Sequence, residues 1–191
     1  MNVRPIIISG PSGVGKGTLI QMLYDAHPGI FTKTVSHTTR QPREGEIEGD
    51  NYFYVSKPRF ESLISEDSFV EYTYFSGNHY GTSKNTITDQ MAKGLVVVLE
   101  IDIEGVKQMR EASVIDARYI FIKPPSFEEL ETRLRKRSTE TEASMEKRLK
   151  QAKCELEQAD TPGLYDMVLV NEDLAVSYDR LQTFIWGSSA E

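Results

Sequence analysis

The sequence predicts an α/β fold with a three-layer core, in which helices cover both faces of a parallel sheet, and with two lobes inserted into that core. First, short apolar segments rich in β-branched residues alternate with amphipathic helical segments along most of the chain. Second, a glycine-rich turn directly follows the first apolar segment. Third, two segments depart from the alternation: residues 36–84 have mixed β character, and residues 126–157 are helical and crowded with Arg and Glu.

A length of 191 residues suits one globular domain. We therefore predict a single domain whose core is formed by residues 1–35, 85–125 and 158–191. A mixed-β lobe is expected at residues 36–84, and a helical lid is expected at residues 126–157.

Each element rests on a local pattern. Buried strands of a parallel sheet are short apolar runs, and four segments fit: Pro5–Ser9, Leu95–Ile101, Arg118–Ile122 and Met167–Val170. Helices are indicated by apolar stripes and stop signals at Lys16–Ala26, Ser83–Lys93 and Leu174–Trp186. Two capping boxes begin the lid helices, namely Ser126 with Glu129 and Thr139 with Glu142. The mixed-β segment contains a short helix, a strand and a turn, at Arg59–Ile64, Ser68–Phe75 and Ser76–Asn78.

Composition and charge exclude several functional classes. The net charge of -7 at pH 7 disfavours general binding to nucleic acid or to anionic membranes. The one cysteine, Cys154, permits no intramolecular disulfide, and the three histidines are scattered without metal-ligand spacing. No apolar run approaches the ~20 residues that span a bilayer, and the N-terminus lacks a signal-peptide pattern. We therefore expect a cytoplasmic monomer without an obligate protein partner.

The segment from Gly10 to Lys16 fits the G-x-x-x-x-G-K pattern of a phosphate-binding P-loop. Glycines let the backbone wrap tightly, so that successive N–H groups point at phosphate oxygens. The helix that begins there favours an anion at its N-terminus, and Lys16 adds a positive charge for the β- and γ-phosphates. The flanking strand and helix favour this interpretation over a glycine-rich turn with a surface lysine. The core is therefore predicted to be a P-loop core that binds ATP through Gly10, Pro11, Ser12, Gly13, Val14, Gly15, Lys16, Gly17 and Thr18.

Position 17 departs from the usual P-loop pattern. The motif commonly has Ser or Thr there, as a Mg²⁺ ligand, but this chain has Gly17 followed by Thr18. Two alternatives remain: Thr18 reaches the ion, or phosphate oxygens and water hold it, which suits Mg²⁺ because it keeps several waters. We expect no dedicated metal site in the protein, with Mg²⁺ held mainly through the phosphates of ATP and water.

Two arginines lie three residues apart in the mixed-β lobe. Arg40 and Arg43 flank Pro42, which stiffens the chain, and Tyr52 lies downstream. Two guanidinium groups held in this way are able to grip one phosphate bidentately. Taken alone, the pair favours a solvated loop with surface arginines, which describes most pairs with this spacing.

The lid carries a second basic cluster, formed by Arg133, Arg135, Lys136, Arg137 and Arg148. Arg133 and Arg137 are four residues apart and therefore share a helix face. Arginines in such a lid would stabilise negative charge on a transferred phosphoryl group and exclude water. Because glutamates are interleaved with them, the segment taken alone favours a solvated, salt-bridged helix.

Several motifs together resemble the guanylate kinase family. They are Ser36–Glu46, Phe69–Glu71, Phe75–Asn78, Tyr80–Thr82 and Ile101–Gly105, and they follow the family's order and spacing over essentially the whole chain. The resemblance implies a nucleoside-monophosphate kinase that transfers the γ-phosphoryl group of ATP to GMP, giving ADP and GDP, with Mg²⁺ accompanying ATP.

The resemblance also implies roles for individual residues. The GMP phosphate would be bound by Arg40, Arg43, Tyr52 and Tyr80, and the guanine by Ser36, Glu71 and Thr82, where the family often has Ser. The residues Lys16, Arg43, Asp102, Arg137 and Arg148 would be catalytic, with Asp102 between the two nucleotides and also counted in the GMP site. Arg133 joins the ATP site, and Asn171 is a weaker candidate for contact with adenine.

The role implied for Glu71 has a chemical reason. Guanine offers N1–H and a 2-amino group as paired donors, and a carboxylate is a paired acceptor. Adenine has an acceptor at N1 and no 2-amino group, so a buried carboxylate would be left unpaired, at a cost of ~1–3 kcal/mol. Taken alone, Glu71 would be interpreted as a solvated strand residue, and the family resemblance changes that interpretation.

Two rival functions remain at this point. A kinase for another nucleoside monophosphate is disfavoured by Glu71. Guanylate-kinase-like modules that bind partner proteins without turnover typically have degraded phosphate loops, whereas Lys16 and the loop glycines are intact here.

Overall fold

The computed structural model describes residues 4–75, 77–136 and 142–187. In chain order, its elements are β1 (Ile6–Ser9), α1 (Lys16–Ala26), β2 (Phe31–Lys33), β3 (Ser36–Thr38), β4 (Tyr52–Tyr54), α2 (Lys57–Ser65), β5 (Phe69–Phe75), β6 (Asn78–Ser83), α3 (Lys84–Ala92), β7 (Val96–Glu100), α4 (Ile103–Ala112), β8 (Arg118–Lys123), α5 (Phe127–Lys136), α6 (Glu142–Gln158), β9 (Met167–Val170) and α7 (Leu174–Trp186).

A parallel sheet of five strands forms the centre of the molecule, in the order β2-β7-β1-β8-β9. The middle strand β1 pairs in parallel with both neighbours, so that Ile7 is opposite Leu99 on one side and Tyr119 on the other. The strands are almost continuously apolar because both faces of the sheet are covered. The parallel arrangement brings the carboxyl ends of all five strands to one edge, where the loop after β1 lies.

Successive residues of each strand point to opposite faces, and this alternation builds two separate cores. Ile6 and Ile8 belong to a cluster that includes residues of α1, α5, α6 and α7, whereas Ile7 belongs to a cluster that includes residues of α3 and α4. The result is the three-layer α/β arrangement that the sequence predicts.

A second sheet of four strands has the order β4-β3-β6-β5, with mixed parallel and antiparallel pairing. Helix α2 packs against it through Phe60 and Leu63, which form a small core with Phe69. Ser56 caps this helix by accepting a hydrogen bond from the backbone N–H of Arg59. This sheet provides the mixed β structure expected within residues 36–84.

The sequence prediction assigns no strand to Phe31–Lys33 and no helix to Ile103–Ala112, and the structure adds both. Strand β2 has only three residues, too few to show a period, and pairing with β7 alone defines it. Helix α4 contains Gly105, which lowers helix propensity by about 1 kcal/mol relative to alanine. Its signal is the cap at Asp102, whose side chain accepts a hydrogen bond from the N–H of Gly105 at 2.9 Å. Within the described ranges, no helix has the length and apolar character to cross a membrane.

Candidate active site

The phosphate loop connects β1 to α1 and adopts a backbone that glycine favours. Gly10 and Gly15 have φ angles of 139° and 100°. A Cβ atom on Gly10 would lie 2.4 Å from the carbonyl oxygen of Ile122 in β8, so the loop passes against the neighbouring strand. The loop encloses a cavity of about 220 Å³ that is lined by Ser12, Gly13, Gly15, Lys16, Gly17, Thr18 and Glu100. Six of the nine loop residues predicted to bind ATP therefore line one concave space, whereas Gly10, Pro11 and Val14 do not.

Lys16 is held inside this loop. Its Nζ donates to the carbonyl oxygens of Gly10 and Pro11, at 2.6 and 3.0 Å, and lies 3.5 Å from a carboxylate oxygen of Glu100. The Lys16 side chain is only 10% exposed, whereas that of Glu100 is 49% exposed. The ammonium group is thus fixed beside the cavity that the loop lines.

Asn171 lies beneath the loop. Its side-chain Nδ2 donates to the carbonyl oxygen of Val14 at 2.8 Å, and a Cβ atom on Gly15 would lie 2.4 Å from the same nitrogen. Arg133 donates through Nη1 to the backbone carbonyl of Asn171 at 3.1 Å and through Nε to Glu129 at 3.0 Å. The amide of Asn171 is therefore engaged in supporting the phosphate loop, and Arg133 is tied to the same place.

The three side chains predicted to bind guanine meet in the second sheet. Glu71 in β5 is opposite Thr82 in β6, and the Ser36 hydroxyl in β3 lies 3.0 Å from that of Thr82. Glu71 is buried, and this burial raises the pKa of its carboxyl, with the nearby charge of Asp102 adding to the effect. A desolvated carboxylate beside two hydroxyls is an acceptor site for a ligand with two adjacent N–H donors.

Arg40 lies at the other end of this sheet, among aromatic rings. Its guanidinium carbon is 5.4 Å from the centre of the Tyr52 ring, and the rings of Tyr52 and Tyr80 are 6.0 Å apart. A hydrogen bond with Tyr80 contributes to the raised pKa of Arg40, after the larger effect of Glu46. The Arg43 side chain is exposed in the loop between β3 and β4. Three of the four residues predicted for the GMP phosphate are thus in one cluster.

Glu46 is the residue of this cluster to which the sequence analysis gives no role. Its two oxygens accept hydrogen bonds from Nη1 and Nη2 of Arg40, at 3.0 and 2.9 Å. It also accepts from the backbone N–H of Arg43 at 2.8 Å and from the hydroxyl of Tyr54 at 2.7 Å. These bonds, that of Arg40 above all, lower the pKa of Glu46 to about 2. The sequence signal was available, since Glu46 ends the same polar segment that contains both arginines.

A cleft of about 570 Å³ separates the second sheet from the lid, and Phe75, Asp102 and Arg148 are among the residues that line it. Arg148 donates through Nη1 to the hydroxyl of Ser12, at 3.1 Å, so one predicted lid arginine lies at the phosphate loop. Arg137 lies outside the described residues. Glu155 is buried and lines the cleft on the same face of α6 as Arg148, seven residues earlier. The sequence analysis assigns Glu155 no role.

The oxygen donors near the loop fit a hard cation, although they form no closed cage. Among the described residues, no group of three or more His, Cys, Asp or Glu side chains is placed to hold a metal ion. Thr18 and Glu100 line the phosphate-loop cavity, and nothing lies within 4 Å of where a Cβ on Gly17 would be. Oxygen ligands that leave room for water suit Mg²⁺ better than a complete protein cage.

The fold and this site define a class of protein. P-loop nucleotide-binding proteins bind phosphate at the carboxyl end of a parallel sheet, where a strand leads through a glycine-rich loop into a helix. This chain has that arrangement, with a lysine that points into the loop. The model that describes the guanylate kinase family matches residues 2–188. The chain therefore belongs to the guanylate kinase family.

Individual relatives agree with this assignment. "Guanylate kinase 1" of Oryza sativa subsp. japonica is 48% identical over 182 residues, which cover 95% of this chain and 47% of the relative. The guanylate kinases of Schizosaccharomyces pombe and Homo sapiens are both 44% identical, over 95% and 94% of this chain and 90% of each relative. The chain thus spans about half the length of the rice relative and nine-tenths of the other two.

Solved structures show the same fold. The crystal structure of guanylate kinase from Anaplasma phagocytophilum is 31% identical, with a TM-score of 0.68 over 99% of this chain and 88% of that chain. The SH3-kinase fragment of tight junction protein 3 has a TM-score of 0.54 at 12% identity, covering 96% of this chain and 56% of that chain. The second likeness concerns the fold alone.

Proposed function

We propose that this chain is a guanylate kinase, which transfers the γ-phosphoryl group of ATP to GMP and yields ADP and GDP. One observation carries the proposal: a buried carboxylate with two neighbouring hydroxyls, at Glu71, Ser36 and Thr82, lies in a sheet that is joined to a core with a lysine-containing phosphate loop. The pocket at Glu71 matches the Watson–Crick edge of guanine, and the phosphate loop with Lys16 matches the phosphates of a nucleoside triphosphate.

Guanine selection follows from the burial of Glu71. Its carboxylate accepts from N1–H and from the 2-amino group of guanine, while the hydroxyls of Ser36 and Thr82 complete the polar wall. Adenine presents an acceptor at N1 and no 2-amino group, so the desolvated carboxylate would lack the two ligand donors, at a cost of ~1–3 kcal/mol or about a 5- to 150-fold loss. The pocket therefore favours GMP over AMP.

The GMP phosphate is bound, in this proposal, by Arg40, Arg43, Tyr52 and Tyr80. Support comes from the clustering of Arg40 with both tyrosines and from Glu46, which fixes the guanidinium plane of Arg40 through two hydrogen bonds. A guanidinium held in one plane loses little further freedom when it binds a phosphate bidentately.

On the ATP side, the loop amides and Lys16 bind the phosphates, and the lid arginines Arg133, Arg137 and Arg148 approach the transferred group when the lid closes. Support comes from the contact of Arg148 with Ser12, which already joins the lid to the loop. We further propose that Asn171 serves ATP binding through its hydrogen bond to Val14, by holding the loop in shape.

The reaction needs orientation and charge stabilisation, and no protein base, because the attacking GMP phosphate is already an anion. Holding two anions in line converts the encounter into an effectively intramolecular step. Lys16 and the lid arginines stabilise charge that moves onto the leaving oxygen of ADP. Asp102 caps α4 and lines the cleft between the two sites, where its carboxylate orients groups that lie between the nucleotides.

We infer that Mg²⁺ accompanies ATP. Thr18, Glu100 and Asp102 would hold it through water, together with phosphate oxygens, and the ion supplies charge neutralisation for the β- and γ-phosphates. We also propose a cytoplasmic monomer that needs no nucleic acid or protein partner. The net charge of -7 and the lone, exposed Cys154 support this part of the proposal.

The proposal is tested by measuring ADP release and GDP formation with ATP, Mg²⁺ and each of GMP, AMP, UMP and CMP. We expect kcat/KM to be highest for GMP, and Lys16→Met to lower kcat with GMP by at least about a hundredfold. Lys33→Met, which removes an exposed lysine from β2, is the matched control. A higher kcat/KM with any other monophosphate, or no GDP from the wild-type protein, would refute the proposal.

A further inference from the structure

We propose that Gln108 is a positioning residue that determines guanine specificity, because its side-chain amide fixes β5 where the Glu71 carboxylate enters the guanine pocket. Gln108 is a partly exposed residue of α4, and no motif of the sequence analysis includes it. The inference rests on the proposed function, since it names a residue that acts through the same pocket.

The side-chain amide of Gln108 both accepts a hydrogen bond from the backbone of β5 and donates one to it. Its Oε1 accepts from the N–H of Tyr72 at 3.0 Å, and its Nε2 donates to the carbonyl oxygen of Tyr72 at 3.0 Å. Strand β5 is at the edge of its sheet, next to β6 on one side only. The glutamine amide therefore pairs with the open edge of β5 at one residue, as a neighbouring strand would.

The paired residue directly follows Glu71. The pairing of β5 with β6 changes register between Phe69 and Glu71, so the ladder is irregular just before the carboxylate. An irregular ladder holds the chain less firmly than a regular one. The hydrogen bonds of Gln108 supply the missing constraint on the other side of Glu71.

The same face of α4 also contacts the carboxylate. Gly105 precedes Gln108 by three residues, and a Cβ atom on it would lie 3.4 Å from Oε2 of Glu71. Helix α4 thus approaches both the side chain of Glu71 and the backbone of Tyr72. Any shift of β5 relative to α4 would move the carboxylate along this face.

Glu71 needs such a constraint because its position is electrostatically unfavourable. Burial is the largest influence and raises the pKa of its carboxyl, and the charge of Asp102, the cap of α4, acts in the same direction, whereas hydrogen bonds from Thr82 offset this only in part. The ionised side chain would therefore gain by moving toward water. Two hydrogen bonds at Tyr72 keep the strand, and with it the carboxylate, where the guanine donors reach it.

The consequence is a specificity that depends on Gln108. The 2-amino group of guanine is the donor that inosine monophosphate lacks, so the ratio of kcat/KM for GMP to that for inosine monophosphate reports the fit of the carboxylate. Loss of the Gln108 hydrogen bonds should lower this ratio by about tenfold, the effect of weakening one charged hydrogen bond. The loss should appear as a higher KM for GMP, while KM for ATP stays unchanged.

The experiment compares Gln108→Ala and Gln108→Met with the wild-type protein and with Gln182→Ala. The methionine variant keeps the volume of the side chain and removes only its hydrogen bonds, so it remains informative where the alanine variant does not fold. Gln182 hydrogen-bonds to His27 Nε2 at 2.9 Å, far from the pocket in sequence, and serves as the matched control. A ratio that falls in both Gln108 variants and stays at the wild-type value in Gln182→Ala supports the proposal.

A double variant separates positioning from general damage. In a Glu71→Gln background, Gln108→Met should change the GMP-to-inosine ratio by less than twofold, because the group that it positions is already altered. An unchanged ratio in Gln108→Met alone, or additive effects in the double variant, would overturn the proposal. Absence of GMP turnover by the wild-type protein would instead refute the proposed function, and calorimetric affinities for the two monophosphates then decide the role of Gln108 without turnover.

Discussion

Replacing Asn171 with alanine tests whether this residue supports the phosphate loop or contacts the base of ATP. Asn171 is 5% exposed and donates to the carbonyl oxygen of Val14 at 2.8 Å. Its removal leaves that oxygen buried without its donor, which costs ~1–3 kcal/mol. For a chain of this length, each kcal/mol lowers Tm by about 2–4 °C. We therefore expect Asn171→Ala to lower Tm by about 2–12 °C.

The binding assay uses two ligands that share phosphates and differ in the base. ATP and inorganic tripolyphosphate are titrated into Asn171→Ala by calorimetry, with Asn85→Ala, at an exposed position of α3, as the control. If the amide acts through the loop, both ligands lose affinity by the same factor. A loss of ATP affinity with tripolyphosphate binding unchanged would show that the amide contacts adenine, and our explanation would be wrong.

Three further predictions concern charge and packing. Because burial raises the pKa of Glu71 in the folded protein, the ionised carboxylate destabilises the empty enzyme above its ordinary pKa, so Glu71→Gln should melt higher than the wild type at pH 8. The difference should shrink as pH falls toward the ordinary value of 4.5 and vanish below it, because the carboxyl is then protonated in both the folded and the unfolded chain, and an equal difference at all pH values would contradict this account. The pH dependence expected for Glu46 is opposite in sign. Its pKa is lowered from 4.5 to about 2, so the ionised carboxylate stabilises the fold above pH 4.5, and this stabilisation is lost as pH falls toward 2. Glu46→Gln should therefore be less stable than the wild type at pH 7 in urea titrations, with a gap that closes in acid. Phe60 is fully buried and stacks on Phe69 at 4.6 Å, so Phe60→Ala should cost ~3–5 kcal/mol of unfolding free energy, and a loss below 1 kcal/mol would refute its place in that core.

The features that sequence alone predicts are those in which local pattern and tertiary environment agree. Strand β1, the phosphate loop and α1 follow one another within 21 residues, and each has its own signal in the apolar run, the glycines and the helical stripe. The predicted helix Lys16–Ala26 and the predicted strand Met167–Val170 have the bounds that the structure shows. The parallel order of the core strands also follows from the alternation of strands and helices.

The features that sequence alone does not predict depend on contacts between distant segments. The sequence analysis names Asn171 only as a contact of adenine, through the family resemblance, because its hydrogen bond to Val14 spans 157 positions of sequence and has no local pattern. Gln108 and Tyr72 are 36 positions apart, and a glutamine on a helix ordinarily points to solvent. Residues of this kind act on the site through another residue, so they carry no motif of their own.

In the two predicted phosphate sites, the positively charged side chains of Lys16 and Arg40 are held by hydrogen-bond acceptors of different strength. This difference has a consequence for substrate binding. Lys16 donates at 2.6 and 3.0 Å to two neutral carbonyl oxygens of its own loop, and the carboxylate oxygen of Glu100 is farther away, at 3.5 Å. Arg40 donates to both carboxylate oxygens of Glu46, and hydrogen bonds between charged groups are about twice as strong as neutral ones. Lysine has three donors on one nitrogen, whereas arginine spreads five donors over two edges of a plane.

We therefore expect ATP phosphates to replace the carbonyl oxygens around Lys16, whereas the GMP phosphate adds a second acceptor to Arg40 without displacing Glu46. A crystal structure with both nucleotides tests this expectation directly. The distances from Arg40 to Glu46 should remain near 2.9 and 3.0 Å, while the Lys16–Gly10 hydrogen bond of 2.6 Å should be lost. A GMP complex in which Glu46 has moved away from Arg40 would contradict this expectation, because it would mean that the carboxylate competes with the substrate phosphate for the guanidinium group.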